Sequence, residues 1–181
     1  MLKILYPYEY AQSVFSIDYA KLYSLGIRGL IFDIDNTLVL HGKDSNSEVD
    51  TLFRDLHQMG FKTLLLSNNG EERITRFNRE IRTLYISNSK KPRPKNFLRA
   101  LCLMELEKQQ VIFIGDQLFT DILGANLSGL KSILVKFLHR PEETNFGKRR
   151  AAENFILNYY KRSKKYQNRL GNISKKETSG V

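Results

Sequence analysis

The sequence predicts an α/β domain in which helices cover both faces of a parallel β-sheet. Five short apolar runs, rich in β-branched residues, alternate along the chain with segments of helical spacing. The runs are almost continuously apolar, which is typical of strands buried on both faces of a parallel sheet. Regular alternation of strand and helix indicates a three-layer, Rossmann-like architecture with right-handed crossovers.

The positions of the elements follow from these patterns. The apolar runs predict strands at residues 29–33, 62–67, 84–87, 111–115 and 131–135. Apolar residues at helical spacing predict helices at 49–59, 97–104, 122–127 and 149–160. Gly60 and Gly129 stand where two of these helices should end. Residues 7–25, ahead of the first strand, predict a helical lead-in.

Length and composition indicate a single domain. A chain of 181 residues with 41% hydrophobic residues can build one core, and this composition argues against disorder over most of the chain. We expect a helical lead-in at residues 1–28, the α/β domain at 29–160, and a basic tail at 161–181. The polar composition of the tail predicts disorder over roughly the last 15 to 20 residues.

The cysteine content and the N-terminus predict a cytoplasmic protein. The single cysteine, Cys102, cannot form an internal disulfide and lies in an apolar run, where we expect it to fill the core. Pro7 and Glu9 interrupt the N-terminal apolar residues too early for a signal peptide. No stretch approaches the roughly 18 uninterrupted apolar residues of a transmembrane helix.

The net charge of +10 is concentrated near the C-terminus. From residue 147 onward the chain has ten basic residues and two acidic ones. Such an asymmetry indicates a surface that meets phosphates, in nucleic acid or in an anionic membrane. A solubilising tail without a specific partner is the alternative that the composition leaves open.

Polar residues that could take part in catalysis or binding follow the first two predicted strands. Ligands of parallel α/β sheets bind beyond the carboxyl ends of the strands. Asp33 and Asp35 lie on one side of an extended chain, and two carboxylates this close favour a hard divalent cation. Ser67 and Asn68 follow the second strand, where a hydroxyl and free backbone amides suit a phosphate oxygen.

Two further groups follow the next strands. Lys91 stands before Pro92 in a basic loop, where its ammonium group could neutralise a phosphate. Asp116 follows a buried strand and Asp121 comes five residues later, so one acid could complete a metal site while the other holds the lysine. Each group alone could be a helix cap or a solvated turn. Four such groups, each after a predicted parallel strand, indicate a shared chemical site.

In this order the residues resemble the four motifs of the haloacid dehalogenase (HAD) superfamily of phosphohydrolases, subfamily IIIA. The resemblance covers roughly residues 29–135 and is carried by Asp33-x-Asp35-x-Thr37, Ser67, Lys91 and Gly115-Asp116-x-x-x-x-Asp121. Within the superfamily, the surrounding residues are similar to the YqeG-like group, a branch close to phosphatidylglycerophosphate phosphatases.

The resemblance implies a role for each motif residue. Asp33 would attack phosphorus to form an aspartyl-phosphate, and Asp35 would act as general acid and then general base. Mg²⁺ would be held by Asp33, by Asp116 and by the backbone carbonyl of Asp35.

The remaining motif residues would support the phosphoryl group and the acids. Ser67, Asn68 through its backbone amide, and Lys91 would stabilise the transferring phosphoryl group. Lys91 is preferred over Lys90 because of its neighbour Pro92. Asp121 and Thr37 would not contact the substrate but would orient the residues that do. Asp121 would position Lys91 or a bound water.

The stretches around the motifs predict a site without a cap domain. Neither residues 36–61 nor residues 68–90 are long enough for a further folded domain, so we expect the site to be open. An open site suits a substrate that cannot fit beneath a lid, such as a lipid head group. The helix at 149–160 could lay Phe155, Ile156, Tyr159 and Tyr160 on an anionic membrane, or pack them against the sheet.

Three functions remain open. The branch resemblance implies hydrolysis of phosphatidylglycerophosphate at a membrane surface. The same chemistry could act on a soluble phosphate ester or a terminal phosphate of a nucleic acid. A non-catalytic module that binds nucleic acid through the basic tail is the third reading, and the filled set of catalytic positions argues against it.

Overall fold

A single sheet of six parallel strands forms the centre of the protein, in a computed structural model that describes residues 2–143 and 147–175. The strands are β1 (Glu9–Ala11), β2 (Gly29–Phe32), β3 (Lys62–Leu66), β4 (Leu84–Ile86), β5 (Val111–Gly115) and β6 (Lys131–Val135). Their order in the sheet is β1-β6-β5-β2-β3-β4, and all five neighbouring pairs are parallel. The five strands predicted from apolar runs are confirmed.

Helices connect the strands. They are α1 (Tyr19–Ser24), α2 (Ser47–Gln58), α3 (Glu71–Phe77), α4 (Pro94–Met104), α5 (Leu123–Leu127) and α6 (Gly147–Arg162). A π-helical turn, Leu118–Ile122, leads into α5. Only α2 lies between β2 and β3, and only α3 lies between β3 and β4. Residues 33–83, all of which the structure describes, therefore carry no inserted domain, as predicted.

The two faces of the sheet are covered by different helices, which confirms the three-layer α/β architecture. Leu30 and Phe32 of β2 pack in one apolar cluster with residues of α2 and α3. Ile31 points the other way and packs with residues of α4 and α5. Because side chains alternate across a strand, a strand covered on both sides needs apolar residues at every position.

The prediction of a helical lead-in is wrong for residues 9–11. These residues form β1, an edge strand that pairs in parallel with β6, with Glu9 opposite Ile133 and Ala11 opposite Val135. The three residues of β1 begin with Glu9 and do not form an apolar run of the kind that predicted the other strands. Its hydrogen-bonding partner lies more than 120 residues away, so nothing local in the sequence marks it.

The prediction of a disordered tail from residue 161 is wrong for residues 161–175. The side chain of Ile173 is buried in the main apolar cluster, and the backbone N–H of Lys175 donates to the carbonyl of Ser16 at 2.9 Å. The N–H of Leu170 donates to the buried carboxylate of Glu9 at 2.5 Å. The segment thus folds back onto the N-terminal part of the chain. The rest of the predicted tail, residues 176–181, lies outside the described residues.

The expectation that Cys102 fills the core is also wrong. Its side chain is exposed, because α4 turns Phe97, Ala100, Leu101 and Met104 toward the sheet and position 102 falls on the opposite side of the helix. Across the described ranges, every helix is too short or too polar to cross a bilayer.

Candidate active site

The predicted site residues meet at the carboxyl ends of three adjacent strands. β5, β2 and β3 are neighbours in the sheet, and Asp116, Asp33 and Ser67 follow them directly. Parallel strands bring these ends to the same edge of the sheet, where the crossover loops leave an open crevice. A cavity of about 210 Å³ lies there.

Asp33 is buried at the base of this cavity. Its carboxylate oxygen Oδ1 accepts a hydrogen bond from Lys91 Nζ at 2.5 Å, and Thr37 Oγ1 lies 3.3 Å from Oδ2. Burial raises the pKa of Asp33 to about 6, the charge of Asp121 adds to the rise, and the charge of Lys91 opposes it. The result is a desolvated carboxylate with a fixed orientation toward the cavity.

Lys91 is the cation that pairs with Asp33 and Asp121. Its ammonium group lies between Asp33 and Asp121, 2.8 Å from Asp121 Oδ1, and only 2% of its side chain is exposed. Burial would lower the pKa of Lys91, but the negative charges of Asp121 and Asp33 outweigh that effect and raise it. Lys90 is exposed. In this structure Lys91, and not Lys90, points toward the acids.

Asn68 fixes the loop that carries Lys91. Its side-chain Oδ1 accepts the backbone N–H of Lys91 at 2.8 Å and the hydroxyl of Ser89 at 2.8 Å. The side chain is therefore occupied with the loop, which leaves the backbone amide as the group that Asn68 could offer to a phosphate. Ser67 is buried beside it, and its hydroxyl accepts the backbone N–H of Asn69 at 3.2 Å.

Three buried carboxylates converge in the site. Oxygens of Asp33, Asp116 and Asp121 all lie within 4.8 Å of one another. Thr37 Oγ1 is 3.1 Å from Asp116 Oδ1, so its single hydroxyl proton is shared between Asp116 and Asp33. Burial raises the pKa of Asp116 to about 8, with the charges of Asp121 and Asp33 contributing.

Both oxygens of Asp121 have partners, an ion pair on one and hydrogen bonds on the other. Its Oδ1 pairs with Lys91, and its Oδ2 accepts the backbone N–H groups of Asp116 and Gln117 at 3.2 and 3.1 Å. A Cβ added at Gly115 would lie 2.6 Å from that oxygen, so glycine is required for this close approach. These contacts hold Asp121 between Lys91 and the loop that follows β5.

The side chain of Asp35 lies apart from the three carboxylates. It accepts a hydrogen bond from the side chain of Asn69, from Arg73 Nη2 at 3.3 Å and from the backbone N–H of Gly42 at 2.9 Å. Burial would raise its pKa, but these hydrogen bonds and the charge of Arg73 lower it. Sequence reasoning did not identify Asn69 or Arg73 as partners of Asp35.

The donor set fits a divalent metal ion. Lys91 pairs with Asp33 and Asp121, and Arg150 pairs with Asp116. The pKa values of Asp33 and Asp116 are nevertheless raised, by burial and by repulsion that a bound cation would relieve. Carboxylate oxygens are the ligands that Mg²⁺ prefers. The ion would bind among these oxygens, which lie within 4.8 Å of one another.

We predict that Mg²⁺ raises the thermal unfolding temperature more at pH 8 than at pH 5.5. The folded-state pKa values of Asp33 and Asp116 lie above those of the unfolded chain. The metal-free protein therefore loses stability as pH rises through this range, while the ionised ligands bind metal more tightly. Scanning fluorimetry with and without Mg²⁺ checks this, and an equal or smaller shift at pH 8 would contradict it.

Residues outside the predicted motifs also line the cavity. Asn36, His41, Gln117, Thr120 and Arg149 surround its mouth. Arg149 belongs to the first turn of α6, a helix that sequence reasoning treated only as a membrane or packing element. The neighbouring Arg150 donates hydrogen bonds to Asp116. The available sequence signal was the pair Arg150 and Glu153, opposite charges three residues apart on a predicted helix.

The chain is similar to a family of HAD-type hydrolases and to proteins named as phosphatases. The sequence profile described as HAD-hydrolase-like matches residues 89–153. The Probable phosphatase YqeG of Bacillus subtilis strain 168 is 37% identical over 134 residues, which cover 74% of this chain and 78% of that protein. The glyceraldehyde 3-phosphate phosphatase of Pyrococcus abyssi is 40% identical over 48 residues, which cover 26% of this chain and 20% of that protein.

Solved structures match the fold. A HAD-superfamily hydrolase from Ehrlichia chaffeensis aligns with a TM-score of 0.52 and 18% identity, covering 74% of this chain and 97% of that one. At 18% identity this likeness concerns the fold alone, and it agrees with the parallel sheet described above.

Proposed function

The chain belongs to the HAD superfamily of phosphatases, and on this premise we propose that it is a Mg²⁺-dependent phosphomonoester hydrolase whose nucleophile is Asp33 and whose substrate is phosphatidylglycerophosphate. The observation that carries the chemical part is the buried Asp33 carboxylate, which faces the cavity and is paired with Lys91 at 2.5 Å. A desolvated, oriented carboxylate beside a fixed cation suits attack on a phosphate ester.

In the first step, an oxygen of Asp33 forms a bond to phosphorus and the bond from phosphorus to the ester oxygen breaks. Asp35 gives its proton to the departing alkoxide, which leaves as an alcohol. In the second step, water attacks the phosphorus of the aspartyl-phosphate, Asp35 takes a proton from that water, and the bond to Asp33 breaks. The products are the alcohol and inorganic phosphate, and Asp33 is regenerated.

The surroundings of Asp35 fit the second step directly. Its hydrogen bonds and Arg73 lower its pKa and favour the ionised form, which is the form that accepts a proton from water. The first step needs the protonated form. A phosphate dianion arriving in the cavity raises the pKa of a neighbouring carboxyl by charge repulsion, so substrate binding itself would favour protonation of Asp35.

The remaining residues stabilise charge on the phosphoryl group. Lys91, the hydroxyl of Ser67 and the backbone amide of Asn68 would donate to its oxygens. Asp33, Asp116 and the backbone carbonyl of Asp35 would hold Mg²⁺, which would supply positive charge to stabilise the phosphoryl group.

The lipid substrate is supported by the resemblance of the motifs and by the open site. The YqeG-like branch that the motifs resemble is close to phosphatidylglycerophosphate phosphatases. Residues 33–83 carry no domain that could cover the cavity, so a head group at a bilayer surface could reach Asp33. A soluble phosphate ester and a terminal phosphate of a nucleic acid are the competing substrates.

Helix α6 supports contact with an anionic membrane on the cytoplasmic side. Ile156 and Tyr160 are buried against the domain, whereas Phe155 and Tyr159 are 59% and 46% exposed with ring centroids 5.0 Å apart. Two of the four residues considered for membrane contact thus anchor the helix, and two are available to a bilayer. Exposed basic residues flank this pair, and each contributes roughly 1 kcal/mol near an anionic surface; they are Lys148, Arg149, Lys161, Arg162, Lys164 and Lys165.

The substrate is tested by incubating the protein and Mg²⁺ with phosphatidylglycerophosphate in mixed micelles, beside soluble phosphate esters and phosphorylated oligonucleotides. Release of inorganic phosphate is measured for each. The proposal expects the highest kcat/KM for the lipid. Hydrolysis confined to soluble esters or oligonucleotides would refute the lipid assignment, and no hydrolysis of any compound would favour a binding protein.

The membrane contact predicts a selective defect in a double variant, Phe155→Ser with Tyr159→Ser. Hydrolysis of phosphatidylglycerophosphate in anionic vesicles should fall at least about fivefold, because loss of two interfacial aromatic rings weakens membrane binding. Hydrolysis of a soluble ester should stay the same. Leu103→Ser, which changes another exposed apolar residue on α4, is the matched control. Equal activity of both variants on vesicles would contradict the contact.

A further inference from the structure

The first turn of α6 reaches the acidic centre of the site through Arg150. One nitrogen of its guanidinium, Nη2, donates to Asp116 Oδ2, and Nη1 donates to the backbone carbonyl of Asp116 at 2.8 Å. Only 16% of the Arg150 side chain is exposed, and the side chain of Asp116 is fully buried. Arg150, 34 positions away in the sequence, therefore binds both the side chain and the backbone of Asp116.

Glu153 holds Arg150 in turn. Its Oε2 accepts from Arg150 Nη1 at 2.7 Å, and its Oε1 accepts the backbone N–H of Phe119 at 3.3 Å. Glu153 is buried, and the Arg150 guanidinium also lies 4.6 Å from the centre of the Phe137 ring. Contacts on several sides leave Arg150 little freedom to take another position.

The two oxygens of Asp116 consequently face different partners. Oδ1 lies 3.1 Å from Thr37 Oγ1, the hydroxyl that also contacts Asp33, so this oxygen faces the other acids. Oδ2 faces Arg150. The planar guanidinium fixes the rotation of the carboxylate, since it binds Oδ2 and the backbone oxygen of the same residue.

We propose that Arg150 is a positioning residue of the metal site, which holds Asp116 so that Oδ1 is presented to the metal, and that Glu153 positions Arg150 for this purpose. This inference rests on the proposed role of Asp116 as a metal ligand. Residues that hydrogen-bond to metal ligands orient them, and their removal typically lowers metal affinity by roughly 10- to 100-fold.

The charges of the site agree with positioning rather than with competition between Arg150 and the metal. Arg150 and Glu153 form a neutral pair. The other charged groups of the acidic centre carry a net charge of −2. They are the carboxylates of Asp33, Asp116 and Asp121 and the ammonium group of Lys91. This net charge matches a divalent cation, so the guanidinium can orient Asp116 without removing the attraction for metal.

The test measures Mg²⁺ and Mn²⁺ affinity by isothermal titration calorimetry on the metal-stripped full chain, in the absence of substrate. Arg150→Gln should weaken binding about tenfold or more. Arg99→Gln, which changes an exposed arginine on α4, is the matched control and should bind as the unchanged protein does. Far-UV circular dichroism and thermal unfolding establish that each variant is folded.

Two further variants separate positioning from charge alone. Arg150→Lys keeps the charge but offers one nitrogen in place of two, so its affinity should lie between those of the unchanged protein and Arg150→Gln. Glu153→Gln removes the charged partner of Arg150 and should weaken metal binding by a smaller factor. If Arg150→Gln does not fold, the metal affinity of Glu153→Gln tests the proposal instead.

The outcomes distinguish this inference from the function on which it rests. If the unchanged protein binds metal, Asp116→Asn does not, and the folded Arg150 and Glu153 variants bind within twofold of the unchanged protein, the positioning role is overturned. Tighter binding by Arg150→Gln would also overturn it, because the guanidinium would then compete with the metal. If the unchanged protein binds no divalent ion, the proposed metal role of Asp116 itself fails.

Discussion

Asp33→Asn should abolish phosphate-ester hydrolysis while the protein remains folded. Asparagine has the size of aspartate but lacks the anionic oxygen that would attack phosphorus, so we expect a loss in kcat on the order of 10⁴-fold or more. Steady-state release of inorganic phosphate from the best substrate measures this loss. A residual rate above a few per cent would contradict the assignment of Asp33 as the nucleophile.

The stability of the Asp33→Asn variant should not fall in proportion to its activity. The substitution removes one of three crowded carboxylates and so relieves repulsion with Asp121. Lys91 retains its contact with Asp121 at 2.8 Å. A thermal unfolding temperature near that of the unchanged protein would attribute the loss of activity to chemistry. Asp55→Asn, at an exposed position on α2, is the matched control and should retain full activity.

Lys91→Met should lower both activity and stability. The ammonium group is the cation shared by Asp33 and Asp121, and methionine fills a similar volume without the charge. Removing one member of a buried ionic group leaves the others uncompensated, which costs about 3–5 kcal/mol of unfolding free energy. Urea unfolding of the metal-free protein measures the change, and a phosphate-release assay should give no more than a few per cent of the original activity.

The stability defect of Lys91→Met should depend on pH. At low pH the buried carboxylates take up protons, because the pKa of Asp33 is raised even when Lys91 is present and rises further without it. The loss of unfolding free energy should therefore be smaller at pH 5.5 than at pH 8. Lys90→Met changes the exposed neighbour and should affect neither property. Equal stability of the Lys90 and Lys91 variants at pH 8 would contradict the role of Lys91.

The strands and the motif positions could be predicted from the sequence because both depend on local information. A buried parallel strand needs a continuous apolar run, and such runs predicted the five strands from β2 to β6. Connectivity through single helices then forces parallel pairing, which brings the carboxyl ends of the strands to one edge. Asp33, Ser67 and Asp116 could therefore be expected near one another before any coordinates were known.

The β1 strand, the ordered segment at 161–175 and the exposed Cys102 could not be predicted in the same way. The register of β1 is set by β6. Residues 161–175 are held by scattered contacts to the N-terminal segment, such as the hydrogen bond from Lys175 to Ser16. Such contacts leave no periodicity in the residues that make them. Which face of α4 is buried depends on the sheet beneath it, so an apolar run around Cys102 did not show that Cys102 itself packs inside.

By itself, the sequence determined the α/β class, the four groups of polar residues at the strand ends and the family they resemble, because the chain connectivity of a parallel sheet is enough to gather those ends. The tertiary structure decided which side chains touch. It paired Lys91 with Asp33 and Asp121, turned Asp35 toward Arg73 and brought Arg150 of α6 onto Asp116. These contacts join residues 30 or more positions apart, and their geometry depends on how the helices pack on the sheet, which no local pattern of residues contains.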